Sequence, residues 1–188
     1  MSVADIAKSI IKSINAGDTL ATVGLPASNF HEGTVKLATV LLGKKLGGIY
    51  ITTSRPSSHI IAELEEAKAN LSDLYFVDLV SMTVGGNTDD ARTLFIESPT
   101  MLESILLNIS LLERRLKSKR RFVLFDSING LSIYSVPRVL KEFINVLGNS
   151  MRIKAIYTML MTVEEQTDGD LAAALELLSD TMIGTHNG

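Results

Sequence analysis

Thr19-Leu20-Ala21-Thr22-Val23-Gly24, followed by Leu25-Pro26-Ala27-Ser28-Asn29-Phe30-His31, is the stretch that decides the fold. The first six residues form an apolar, β-branched run that reads as a strand delivering a glycine to a turn. Apolar residues at helical spacing follow from about Gly33 to Leu46, and Gly47-Gly48 ends that pattern. The unit is therefore strand, glycine turn, helix.

The same alternation runs outward in both directions. Upstream, Val3, Ile6, Ile10, Ile11 and Ile14 share one face of a predicted helix over 3–15, stopped by Ala16-Gly17. Downstream come a strand at 49–53, a helix capped by Ser57 or Ser58 and running to Asn70, a strand at 74–80 and a loop at 85–90. Thr93-Leu94-Phe95-Ile96 reads as a short strand, and Ser98-Pro99 as the start of a long helix to about Lys119. Phe122-Val123-Leu124-Phe125 has the near-continuous apolarity of a strand buried on both faces. A helix over 136–148, a strand over 153–160, a helix near 170–179 and a terminal Thr181-Met182-Ile183 complete the series. This order predicts a three-layer α/β/α fold, a mostly parallel sheet with helices on both faces. No repeat or linker interrupts it, so residues 1–188 read as one domain, 1–16 an N-terminal helix and 17–183 the core.

Composition narrows the function classes. Apolar residues make up 46% of 188, enough to build a core. A net charge of −3 supplies no long-range basic field for nucleic acid. The absence of cysteine excludes disulfides, thiolate metal sites and a cysteine nucleophile. The N-terminus lacks a basic start and apolar core, and no apolar run approaches the roughly 18–20 residues that span a bilayer. The expectation is a cytoplasmic protein without a membrane partner.

Three segments carry a resemblance. Gly24 after the first strand, Gly48-Ile49-Tyr50-Ile51-Thr52-Thr53-Ser54-Arg55-Pro56 at the second, and Phe122-Val123-Leu124-Phe125-Asp126-Ser127-Ile128-Asn129-Gly130-Leu131 together resemble the RecA-like ATPases, most closely the KaiC-like branch. The last segment, four apolar residues and then Asp-Ser-x-x-Gly-Leu, is the good local match. The resemblance implies a RecA-like domain with a nucleotide crevice at the carboxyl edge of the sheet.

It also implies where the chemistry has been lost. A phosphate-binding loop reads G-x-x-x-x-G-K-[ST], and here its second glycine, lysine and hydroxyl positions hold Asn29, Phe30 and His31. The paired glutamates that the family places after the second strand are Ser54 and Arg55. Phosphoryl transfer is mostly positioning and charge stabilisation, so losing lysine, metal ligand and base removes most of what a protein contributes. The resemblance therefore implies a degenerate nucleotide site with no catalytic residues, no metal and no cofactor, ATP and magnesium being disfavoured. Its candidate ligand-binding residues are Gly24, Ser28, Asn29, His31, Arg55, Asp126 and Ser127.

Each of these residues has a plainer alternative. Asp126 matches a family acid that holds magnesium through water; alternatively, Asp126 and Ser127 cap the following helix. His31, His59 and His186 never adopt a metal-ligand spacing. No nucleophile elbow is present. Arg114, Arg115, Lys117, Lys119, Arg120 and Arg121 hold six of the 18 basic residues. That run is either a nucleic-acid patch or cations complementing a helix end, and the missing aromatics favour the second. The helix at 101–112 is apolar around more of its girth than one buried stripe needs, which suits deep burial or contact with another subunit. The leading expectation is a non-catalytic regulatory or scaffold protein that associates with itself or a protein partner. The alternative is a protein that binds a nucleotide or another anion without the lysine, with Arg55 or a partner's basic residue as its substitute.

Overall fold

A computed structural model describes residues 1–86 and 89–184. Seven strands form one sheet: β1 (Leu20–Leu25), β2 (Gly47–Thr52), β3 (Leu74–Asp78), β4 (Thr93–Phe95), β5 (Arg121–Asp126), β6 (Tyr157–Val163) and β7 (Thr181–Ile183). Their order is β4-β3-β2-β5-β6-β1-β7, and every pairing is parallel. Strands β1, β2 and β6 are buried along their whole length, as their uncharged, largely apolar runs suit.

Helices cover both faces. On one side α1 (Val3–Ala16), α2 (Phe30–Gly43) and α3 (Ser57–Glu66) close a core containing Ile6, Leu37, Ile60 and Tyr50. On the other, α4 (Leu102–Glu113), α5 (Ile128–Ser132), α6 (Pro137–Lys154) and α7 (Gly169–Leu178) close a second core around Ile109, Phe125, Ile144 and Leu175. The three-layer α/β/α expectation is met. Gly17, at φ +91°, ends α1 in the left-handed conformation that a side chain resists.

Element ends depart from the predicted ones where a distant group sets them. Helix α2 begins at Phe30, three residues before Gly33, because a 3₁₀ turn over Ala27–Asn29 leads straight into it. Neither Ser57 nor Ser58 caps α3. Instead the Asp78 carboxylate at the end of β3 accepts the Ser57 N–H at 2.7 Å, and it also accepts those of Val80 and Ser81, which ends the strand at 78.

Helix α4 starts at Leu102 rather than Ser98 and stops at Glu113 rather than near Lys119. Asp73 binds the N–H groups of Lys117 and Ser118 at 2.9 and 2.8 Å and draws the chain off the helix toward β5. Gly148 does not stop α6, which runs to Lys154 and ends at Ala155 (φ 50°), so β6 begins at Tyr157 rather than 153. The short helix α5 has no counterpart in the predicted series. Of the loop at 85–90, Asn87 and Thr88 lie outside the described residues.

Candidate functional site

Parallel strands place the turns after β1, β2, β5 and β6 along one edge, and the chain reverses direction across the sheet between β2 and β5. A crevice of about 360 Å³ opens there, lined by Ala27, His31, Ser54, Ser127, Asn129, Tyr134 and Gln166 among others. No lysine or arginine lines it.

The turn after β1 is the part of this edge that a nucleotide's phosphates would need. Gly24 is buried within the strand, which continues through Leu25. Ser28 and Asn29 are exposed on the 3₁₀ turn. No residue from 24 to 30 has a positive φ, and Asn29, which tolerates the left-handed region, sits at φ −134°. A nest of convergent N–H groups needs alternating right- and left-handed residues, and this backbone has none. Phe30, at the lysine position, is 3% exposed and packs in the core with Tyr50. The Ala27 N–H points at an acid: it donates to Glu165 Oε2 at 2.8 Å, from the loop after β6. A carboxylate from this chain thus takes an N–H that an anion would otherwise use.

Asp126 lies beneath the crevice and does not line it. It is fully buried; Oδ2 accepts the Tyr50 hydroxyl at 2.5 Å, and Oδ1 has no partner among the described residues. Burial pushes its carboxyl above the ordinary range, against the opposing pull of the Tyr50 hydrogen bond, His31 and Arg55. The Tyr50 hydroxyl is driven well above its usual value by burial and by the adjacent acid.

Ser127 behaves as the cap: its side chain accepts from the Gly130 N–H at 3.3 Å at the start of α5. Asp126 caps nothing, which corrects half of the capping expectation. The peptide bond between the two is cis. Thr53 ties this corner to β2, accepting from the Ser127 N–H at 2.9 Å and donating to the Ser127 carbonyl at 2.8 Å. A Cβ on Gly130 would lie 2.1 Å from the Thr53 hydroxyl, so only glycine admits that approach. Asn129 fastens α5 to the next strand, accepting from the Val163 N–H at 2.9 Å and donating to the Gln166 carbonyl at 3.1 Å.

Arg55 is committed to α3. Its guanidinium pairs with Glu63 on α3 at 2.5 Å, and Nε and Nη2 are buried without partners among the described residues. It lines neither the crevice nor the neighbouring groove over α2. The seven candidate residues therefore separate: His31 and Ser127 meet at the crevice, while Gly24, Arg55 and Asp126 serve the interior and Ser28 and Asn29 face solvent.

His31 stacks edge-on against Phe30 with ring centroids 5.6 Å apart, His59 is exposed on α3, and His186 lies outside the described residues. In the basic run, Arg120 donates to Asn15 at 3.1 Å and Arg121 pairs with Glu113 at 3.0 Å.

Tyr50, Thr53, Glu63, Asn129 and Glu165 shape this edge and were not among the candidates. Tyr50 alone had a visible signal, a phenolic hydroxyl in the middle of a strand buried on both faces, which demands a buried partner. Among the described residues, no helix is long and apolar enough to cross a membrane.

No protein-family model matches the sequence, and neither does any curated protein. Among solved structures the chain is similar to a KaiC-like protein from the hyperthermophilic archaeon Pyrococcus horikoshii OT3. The TM-score is 0.62 at 13% identity, over 88% of this chain and 69% of that one. What the two share at that identity is the fold: this chain has the KaiC-like, RecA-type arrangement of a parallel sheet between helical layers.

Proposed function

We propose that this chain is a non-catalytic KaiC-like-fold domain that works by associating with itself or with a protein partner, its nucleotide site being degenerate. One observation carries the reading. Where a nucleotide-binding turn would open a cradle of N–H groups, Phe30 is built into the core and Glu165 occupies the Ala27 N–H. An apolar ring and a carboxylate at that place oppose an anionic ligand on two grounds, lost hydrogen bonding and like-charge repulsion.

The residues present do not fit a triphosphate and its magnesium. Asp126 is sealed from the crevice by burial and committed to Tyr50, and the hydroxyl that would complete a metal site is His31. The alternative use of Arg55 as a phosphate ligand is opposed by its pairing with Glu63. Association is supported by the second helical layer, which leaves Leu107, Val146, Ile153 and Leu177 exposed at 61%, 46%, 88% and 72%.

The test is a pair of measurements on the purified chain. Calorimetric titration with ATP and ADP should give no heat and no thermal stabilisation, and incubation with magnesium and ATP should give no turnover. Turnover that disappears in Asp126→Ala would overturn the reading.

A further inference from the structure

The solvent-facing ridge of α4 has a pattern that neither burial nor the crevice uses. Glu103, Leu107, Leu111 and Arg114 follow at intervals of four, four and three, which keeps them on one line of an α-helix. All four are exposed, Leu107 at 61% and Leu111 at 44%, while the opposite side of α4 is buried on the sheet. Among the described residues, neither Glu103 nor Arg114 forms an ion pair. The ridge thus has two leucines at its centre, an acid at one end and a base at the other.

Such a ridge is complementary to itself run backwards. We infer that α4 pairs antiparallel with α4 of a second copy of this chain across a two-fold axis. The inference rests on the association reading above and names its partner. A dyad midway between Leu107 and Leu111 sets Leu107 against Leu111 of the second copy. Glu103 then stands within one residue's rise, about 1.5 Å, of the level of Arg114 in that copy. The leucine contact and the charge pair each occur twice, as an isologous interface demands.

Helix α6 extends the surface under the same operator. Elements side by side in one layer stay side by side across such an axis, so α6 meets α6 of the second copy. Leu106 and Glu103 of α4 line one groove with Val146 and Glu142 of α6, which sets the relative level of the two helices. The dyad then falls between Val146 and Ile153, bringing each against the other in the second copy. Between α4 and α6 runs a groove of about 560 Å³ with Leu106 and Val146 in its lining, into which side chains of the second copy can pack. A specific interface needs roughly 800 Å² from each partner, which calls for two helices rather than one.

Sedimentation equilibrium of the full chain tests this. The wild type should dimerise. Leu107→Lys with Leu111→Lys should be monomeric and should melt at the temperature the wild type shows when diluted to monomer, since both leucines are exposed. Glu103→Arg alone and Arg114→Glu alone place like charges at both ends and should weaken dimerisation about tenfold or more. An equimolar mixture of those two single variants restores opposite charges at both ends and should dimerise again. A wild type that stays monomeric, or a dimer indifferent to these substitutions, overturns the α4 interface while leaving the absence of catalysis standing. Magnesium-dependent ATP turnover would instead overturn the functional reading and leave the dimer to be judged by the mixture.

Discussion

Replacing Tyr50 with phenylalanine removes one oxygen atom from a site with no access to water and leaves Asp126 with no partner on either oxygen. The hydrogen bond lost is 2.5 Å long and joins two fully buried side chains. Stranding a buried acceptor costs about 2–3 kcal/mol, more than the net value of an ordinary hydrogen bond. Asp126→Leu leaves the Tyr50 hydroxyl stranded instead, at about 1–2 kcal/mol. Removing both polar groups strands nothing, so Tyr50→Phe with Asp126→Leu should recover most of the loss. Urea denaturation of the four proteins at pH 7 yields a coupling free energy, expected at about 3 kcal/mol.

The pH dependence has a definite sign. Asp126 holds its proton more tightly when folded than at its ordinary value of 3.8. Its contribution to stability is therefore fullest below that value and falls as pH rises toward the folded pKa. The double variant lacks the group, so its stability relative to wild type should improve from pH 4 to pH 7. A Tyr50→Phe cost below about 0.5 kcal/mol, or a double variant worse than the sum of the singles, would refute the reasoning.

Phe30→Ala should cost about 3 kcal/mol in urea denaturation, because the ring is a core residue rather than a loop residue. Gly130→Ala forces a methyl against the Thr53 hydroxyl and should lower stability by about 2–3 kcal/mol, measured the same way. Asp180 is raised by desolvation, but the Thr19 and Leu20 N–H groups and Arg152 outweigh this and hold it at about 2. Asp180→Asn should therefore lower the melting temperature at pH 7. That difference should shrink as pH falls below the ordinary 3.8 and vanish near 2, because the stabilising charge is lost in that interval.

How much was legible depended on the range of the interactions involved. Strand existence followed from local patterning, since a strand buried on both faces must be apolar throughout, and Phe122-Val123-Leu124-Phe125 is. Element ends were less legible because remote carboxylates set them: Asp73 stops the chain after α4, and Asp78 caps α3 from 21 residues away. The candidate site divided the same way. That position 30 holds a phenylalanine rather than a lysine, and that neither 54 nor 55 is an acid, is visible in the residue types. The engagement of Ala27 by Glu165, 138 residues later, is not.

The sequence by itself determined the alternation of strands and helices, and with it a parallel sheet whose turns gather at one edge. Periodicity is a local property, and right-handed crossovers leave few ways to assemble it. It also determined which charged groups are absent from the turn after Gly24. Only the tertiary structure decided what stands in their place: a buried ring, a carboxylate on the first free N–H, and an acid enclosed with Tyr50. These are pairings between residues far apart in the chain, and side-chain type alone does not specify which distant group the fold brings within hydrogen-bond reach.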